Sequence, residues 1–172
     1  MLLKAIKSFV ILFFFAGLLA NTGIAGSPSK ETIETKKYLE NALSSAQKGS
    51  LLESKDWLAK LEQLKKVDLE AVFSCLNDNK ENVQFCCYLI ETIGNIGNKK
   101  STKLLMGLLE KEKNDEIKLS LIESLGKLKD KKAVELLKKY LQDESWGIRV
   151  FTSFALENIT GYKYSQEIAP EQ

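Results

Sequence analysis

The 172-residue sequence contains no histidine. Imidazole-based catalytic triads and histidine metal sites are therefore excluded. Serine–lysine catalysis and paired carboxylates remain open, but no motif points to either. Cysteine is scarce: Cys75, Cys86 and Cys87 are the only three, without a Cys-x-x-Cys spacing. That is a poor basis for a metal site or a redox centre. A dominant charge is also missing, with 25 basic against 23 acidic residues. The lysines are dispersed and form only pairs such as Lys99-Lys100 and Lys131-Lys132, read as solvated turn residues. There is no counterion-release footprint for nucleic acid and no basic patch for an anionic membrane, so neither partner is expected.

A long apolar run is missing too. The longest small and apolar stretch, Phe9 to Ala20, is shorter than the ~20 residues of a spanning helix. Lys4 and Lys7 precede it, and Asn21-Thr22-Gly23-Ile24-Ala25-Gly26-Ser27 follows. A basic start, a short apolar core and small residues beyond it predict a secretory signal peptide over residues 1–25, cut after Ala25. The expected location is periplasmic or secreted, with membrane anchoring by an uncleaved N-terminal segment as the alternative. No cysteine near the cleavage site offers a lipid anchor. Losing Lys4 and Lys7 leaves basic and acidic residues balanced, and no stable membrane insertion is expected after cleavage.

What is present is a repeated phrase. Ile90-Glu91-Thr92-Ile93-Gly94-Asn95-Ile96-Gly97-Asn98-Lys99-Lys100 returns further along as Ile122-Glu123-Ser124-Leu125-Gly126-Lys127-Leu128-Lys129-Asp130-Lys131-Lys132. Leu104-Leu105…Leu108-Leu109 returns at the same offset as Leu136-Leu137…Tyr140-Leu141. A third copy follows at nearly that offset, where Ile117-Lys118…Leu121…Leu125 matches Ile148-Arg149…Thr152…Leu156. A fainter one precedes them at Leu61…Leu64…Val72-Phe73…Leu76. A period in the range of roughly 20–50 residues is the signature of a stacked repeat array. Within a unit, Ile117, Leu121, Leu125 and Leu128 form one helical stripe and Val134, Leu137 and Leu141 another. Asn114-Asp115 and Ser145 mark helix starts. Each unit is thus two antiparallel helices that bury their stripes only by stacking. Gly94-Asn95-Ile96-Gly97 lacks the strand and lysine of a phosphate loop and is read as a glycine-assisted helix end.

These residues resemble the short form of the HEAT-like repeat, which runs roughly Val-Arg-x-x-Ala-x-x-Ala-Leu-Gly-x-Ile-Gly-Asp, a turn, and a Leu-Leu-rich second helix. Ile148-Arg149…Ala155-Leu156 keeps the opening, and Leu125-Gly126…Asp130-Lys131-Lys132-Ala133 keeps the turn. The resemblance implies an all-α solenoid of stacked antiparallel helix pairs. It also implies an inter-repeat ladder in which Asp143, six positions before Arg149, is that arginine's partner. Arg149 is the sole arginine, and the ladder is incomplete because Lys118 and Cys86 stand at its earlier rungs. Repeats are expected over 80–164, a degenerate one over 50–79, a linker and capping helix over 26–49, and a tail over 165–172. The capping helix would open at Ser27-Pro28 and bury Tyr38, Leu39, Ala42, Leu43 and Ala46, with Ser50 and Glu53 forming a capping box for the next helix.

Arrays of this family offer an extended surface to protein or peptide partners, so a non-catalytic exported adaptor without cofactors is expected. Lys103, Met106, Glu135, Lys138 and Lys139 mark the face of the second helices as one candidate surface. Trp146, Val150 and Phe154 form a second apolar stripe on the last helix, opposed to Ile148, Thr152, Ala155, Leu156 and Ile159. Either the tail Gly161-Tyr162-Lys163-Tyr164…Ile168 covers that stripe or it is a docking surface, for a partner or for self-association. The cysteines are read either as buried thiols or as a bridge from Cys75 to Cys86 or Cys87 across the turn Asn77-Asp78-Asn79-Lys80. A thiol- or metal-responsive role is the alternative function, and a lyase-type enzyme the less favoured one, since the family's repeats also occur in bilin lyases. Asn158-Ile159-Thr160 fits the glycosylation triplet, but its place at a helix end argues against a sugar.

Overall fold

A computed structural model describes residues 27–64 and 66–165; the expected signal segment and residues 166–172 of the tail lie outside them. The described residues form eight α-helices and no strand: α1 (Lys30–Gln47), α2 (Leu51–Glu62), α3 (Leu69–Asp78), α4 (Val83–Ile96), α5 (Thr102–Leu109), α6 (Asp115–Leu128), α7 (Val134–Tyr140) and α8 (Trp146–Thr160). Short 3₁₀ turns, Lys99–Ser101 and Lys131–Ala133, lead into α5 and α7. None of these helices is long and apolar enough to cross a membrane.

Local chemistry sets the boundaries. The side chains of Asp68, Asn82 and Asn114 accept backbone N–H groups at the starts of α3, α4 and α6. Asn98 and Asp130 do the same for the two 3₁₀ turns. Each such bond satisfies a donor that has no partner within the helix. Gly97 and Lys129 close α4 and α6 in the left-handed region at φ 71° and 51°, and Gly161 closes α8 at 77°. The three stand one repeat apart in sequence, so the periodicity extends to backbone conformation. Glycine takes this conformation freely, whereas Lys129 carries a Cβ that crowds its own carbonyl there.

One expected helix start moves, and two fall where expected without a side-chain cap bond. The first helix is capped by Ser29, whose hydroxyl accepts the Thr32 N–H at 3.1 Å, so Ser27-Pro28 lies outside it. Ser50 caps α2 by position but makes no side-chain cap bond. Its own N–H is already donated to the Ser45 carbonyl at 2.9 Å, which removes the donor that Glu53 would reach back to in a capping box. Ser145 likewise makes no side-chain cap bond, and its N–H goes to the Asp143 carboxylate at 3.0 Å.

The first helices form a row, with α2 packed on α4, α4 on α6 and α6 on α8. The second helices fill in beside them: α5 packs on α6 and α7 on α8, while α3 bridges α1 and α4. At the near end α1 lies along α2, tied to α3 where the Thr32 hydroxyl donates to the Asp68 carboxylate at 2.8 Å and the Asp68 N–H donates to Thr35 Oγ1 at 3.0 Å. The core is continuous and built from the expected stripes: Ile117, Leu121, Leu125, Leu128, Leu137 and Leu141 are all buried. Val134 is only half-buried, and Ala133 and Leu136 are buried beside Leu137 instead. In α1, Leu39, Ala42 and Ala46 are buried while Tyr38 and Leu43 pack at the margin.

Two glycines inside helices set the spacing of the row. A Cβ on Gly94 of α4 would stand 2.8–2.9 Å from Oγ, Cα and Cβ of Ser124 on α6. One repeat on, a Cβ on Gly126 of α6 would stand 2.9 Å from Ala155 Cα on α8. These glycines therefore serve close backbone approach, and the helix end falls at Gly97, one turn beyond Gly94. Ser124 completes the first contact by donating its hydroxyl to the Ile90 carbonyl at 2.8 Å.

Candidate functional site

The far end of the row is α8, and its two faces differ sharply. Ile148, Thr152, Ala155, Leu156 and Ile159 are buried against α6 and α7. At 100° per residue the opposite side of the helix carries Trp146, Val150 and Phe154, and Phe151 lies on the flank between the two faces. Trp146, Phe151 and Phe154 are 44, 42 and 57% exposed, and Val150 is half-buried. Large aromatic side chains left this open are uncommon as a contiguous group on a soluble protein and mark contact surfaces. The described part of the tail leaves them so. Tyr164 is itself buried and packs edge-on against Tyr162, ring centroids 4.9 Å apart, and Tyr162 stays exposed.

Arg149 holds the base of this face. It is buried, and its Nη1 donates to the carbonyl oxygens of Asp143 and Glu144 at 2.8 and 2.9 Å. Its guanidinium also lies under the Trp146 ring, 5.2 Å from the centroid. The planar guanidinium bonds both carbonyls through one nitrogen and stacks on an indole with its flat face, which a compact lysine ammonium does not do. The Asp143 carboxylate meets Ser145 N–H and lies 3.9 Å from Lys118 Nζ, which also bonds Asp115 at 3.0 Å. The ladder's second rung is thus a lysine on α6 facing the acid that precedes α8. Asp115 first, and Asp143 behind it, raise the Lys118 ammonium above its ordinary value.

The second-helix face is more polar. Lys103, Glu135, Lys138 and Lys139 are exposed and Met106 half-buried; Leu104, which the sequence did not single out, is 50% exposed. Lys138 pairs with Glu135 at 3.1 Å along α7. A shallow hollow of about 240 Å³ between Lys139, Tyr140 and Asp143 adjoins it. A larger hollow of about 300 Å³ lies between α4 and α6, lined by Cys87, Glu91, Glu116, Ser120 and Glu123 among others. Both are open and at or below the lower end of ligand-site volumes. Among the described residues, no group of three His, Cys, Asp or Glu is placed to hold a metal ion.

The three cysteines carry free thiols and divide into a pair and a single. Cys86 Sγ donates to the Asn79 carbonyl at 3.2 Å, while Asn79 Nδ2 donates to the Cys75 carbonyl at 2.7 Å and lies 3.9 Å from Cys75 Sγ. The α3–α4 turn therefore brings Cys75 and Cys86 to one residue. Cys87 instead lines the α4–α6 hollow. Burial, reinforced by Asp78, pushes Cys75 up to about 12, and burial pushes Cys86 up to about 11. Burial also raises Cys87, partly offset by a hydrogen bond with Ser120. Thiols held protonated are poor nucleophiles at neutral pH.

Comparison with known families agrees with this architecture. The model of the HEAT-repeat family matches residues 69–155, just over half of the chain, and the chain belongs to that family. No curated protein matches it. Repeats of this family point to a protein-interaction scaffold.

Proposed function

We propose that this HEAT-repeat chain is an exported, non-catalytic scaffold of the cell envelope that holds a protein partner on the outer face of α8. The carrying observation is the exposure of Trp146, Phe151 and Phe154 on α8, the last of the described helices. The basic, then apolar, then small sequence of residues 1–25 supports export, and the balanced charge beyond it supports a protein partner over a nucleic acid. In this reading α1 is the cap of the row and α2–α3 its degenerate first repeat. The lysine-rich face of α5 and α7 is a secondary surface. A bridge formed during folding would join Cys75 to Cys86, the two thiols losing two protons and two electrons to a disulfide oxidant, with Cys87 left free.

Affinity purification of the chain from its own cell envelope tests the reading, with wild type beside Phe154→Glu and mass spectrometry of what is retained. A partner held by the wild type and lost by the folded variant is expected. The same partner on both would move the binding site to the face of α5 and α7, and no partner on either would sink the scaffold reading.

A further inference from the structure

Stacking sorts charge that the sequence interleaves. Each repeat has an inner turn, joining its first helix to its second, and an outer turn leading to the next repeat. Because the helices alternate in direction, the two kinds of turn lie at opposite edges of the row. The inner turns, residues 97–103 and 129–135, carry six lysines against Asp130 and Glu135. The outer turns, residues 78–82, 110–116 and 142–145, carry eight acids against three lysines. A chain with balanced charge therefore has one basic edge and one acidic edge.

On the basic edge the lysines stand in register. Lys99, Lys131 and Lys163 each lie two residues after a left-handed helix end, at Gly97, Lys129 and Gly161. All three are exposed, as are Lys100, Lys103 and Lys132. Neighbouring turns are close enough to act on each other. The Asp130 carboxyl is held below its ordinary value by the Lys132 N–H first, with Thr102, Lys132 and Lys99 behind it. Among the described residues, none of these six lysines forms an ion pair. Leu104, 50% exposed, stands four residues beyond Lys100 and adds an apolar point to the same edge.

We propose that this edge seats an acidic, extended segment of the scaffold's protein partner, laid across the turns from Lys99-Lys100 to Lys163 with an apolar side chain on Leu104. The inference rests on the scaffold reading and names the partner's chemistry. Packed helices lie about 8–10 Å apart, and an extended chain advances about 3 Å per residue. A carboxylate at every third residue therefore meets one rung of lysines after another. The shape of the row favours a strand over an anionic membrane or a nucleic acid. Carboxylates flank it on both sides, Glu62 and Glu157 in the last turns of α2 and α8 and Glu135 in the first turn of α7. A broad polyanion would press its phosphates against them, whereas a single strand lies on the lysines alone. The acidic edge repels the same segment and fixes which side of the row it takes.

The test is fluorescence anisotropy of a labelled peptide of about twelve residues, with Glu at every third position and one Leu, titrated with the full chain at about 0.1 M salt. Saturable binding below about 1 mM is expected, the scale of a few exposed ion pairs and one apolar contact. The same peptide with Gln for each Glu should not bind. Lys99→Glu with Lys131→Glu, both at exposed turn positions, should weaken binding by about tenfold or more. Lys111→Glu with Lys113→Glu makes the same charge change on the acidic edge and should leave binding within about twofold. A chain that binds no peptide, or loses it equally in both double variants, overturns the proposal. Tighter binding to phosphatidylglycerol vesicles or to an oligonucleotide, lost in Lys99→Glu with Lys131→Glu, overturns the choice of a polypeptide. Binding that appears only in Glu167→Gln with Glu171→Gln makes the chain's own tail the occupant and overturns a separate partner. If the peptide fails while Phe154→Glu still loses an envelope partner, the basic edge falls and the α8 reading stands.

Discussion

Gly126→Ala tests the close packing of the row where α6 meets α8. The added Cβ would stand 2.9 Å from Ala155 Cα, a backbone atom that moves only if α6 and α8 separate. Overpacking of this kind costs about 1–3 kcal/mol. Against it stands the gain from replacing a helical glycine by alanine, about 1 kcal/mol. Because the obstacle is backbone, the steric cost falls in the upper part of that range, about 2–3 kcal/mol, and a net loss of about 1–2 kcal/mol is expected. Gly107→Ala in α5 is the matched control, since nothing lies within 4 Å of its Cβ position. There the propensity gain stands alone, and stability should rise by about 0.5–1 kcal/mol. Urea denaturation of both variants reads the two signs. A Gly126→Ala protein as stable as wild type would refute the claim that this glycine sets the helix spacing.

Arg149→Lys should lower stability by about 2–3 kcal/mol, because a lysine forfeits charged hydrogen bonds to two carbonyls and the stacking under Trp146; a thermal melt unchanged within about 2 °C would count against that role. Lys129→Gly should stabilise the chain by about 0.5–1 kcal/mol in the same assay, since it removes a side chain from a left-handed backbone position. In the reduced chain Cys75 and Cys86 are harder to ionise folded than unfolded, so the unfolded chain gains once pH passes the ordinary thiol value of about 8.5. Stability should therefore hold below that pH and fall as pH climbs toward the folded values; denaturation at pH 8, 9 and 10 should show this slope, and Cys75→Ala should flatten it. A variant that keeps the full slope would remove Cys75 as its source. Thiol titration in denaturant settles the bridge separately: one reactive thiol means Cys75 and Cys86 are joined, and three mean they are not.

Much of the fold was legible because a packed repeat must bury the same face each time. The phrase at 90–100 and its copy at 122–132 carry that face in their spacing, so Leu121, Leu125 and Leu137 could be assigned to the core from sequence. The role of Gly94 and Gly126 was not legible as a helix contact, since a glycine near a turn reads first as a helix end. The signal lay nearly one repeat downstream, in the small residues Ser124 and Ala155 that receive them. Lys129 was silent for a related reason: only glycine advertises a left-handed position, and its place one repeat after Gly97 was the sole clue. The stripe on α8 was found at four-residue spacing, which takes in Trp146, Val150 and Phe154 and passes over Phe151. Asp143 could be paired with Arg149 by spacing, but a count along the chain does not distinguish a carboxylate acceptor from the backbone carbonyls that Arg149 bonds.

The central claim is that the outer face of α8 is a contact surface, and Trp146 reports on it directly. The chain has two tryptophans, and Trp57 packs far along the row against Tyr38, ring centroids 6.1 Å apart. With Trp57→Phe, the remaining emission belongs to Trp146 alone, and acrylamide quenching measures its exposure. Emission should shift to the blue and quenching should fall as the complex with a retained envelope partner forms. A Trp146 that stays equally open to acrylamide in the assembled complex would contradict the account.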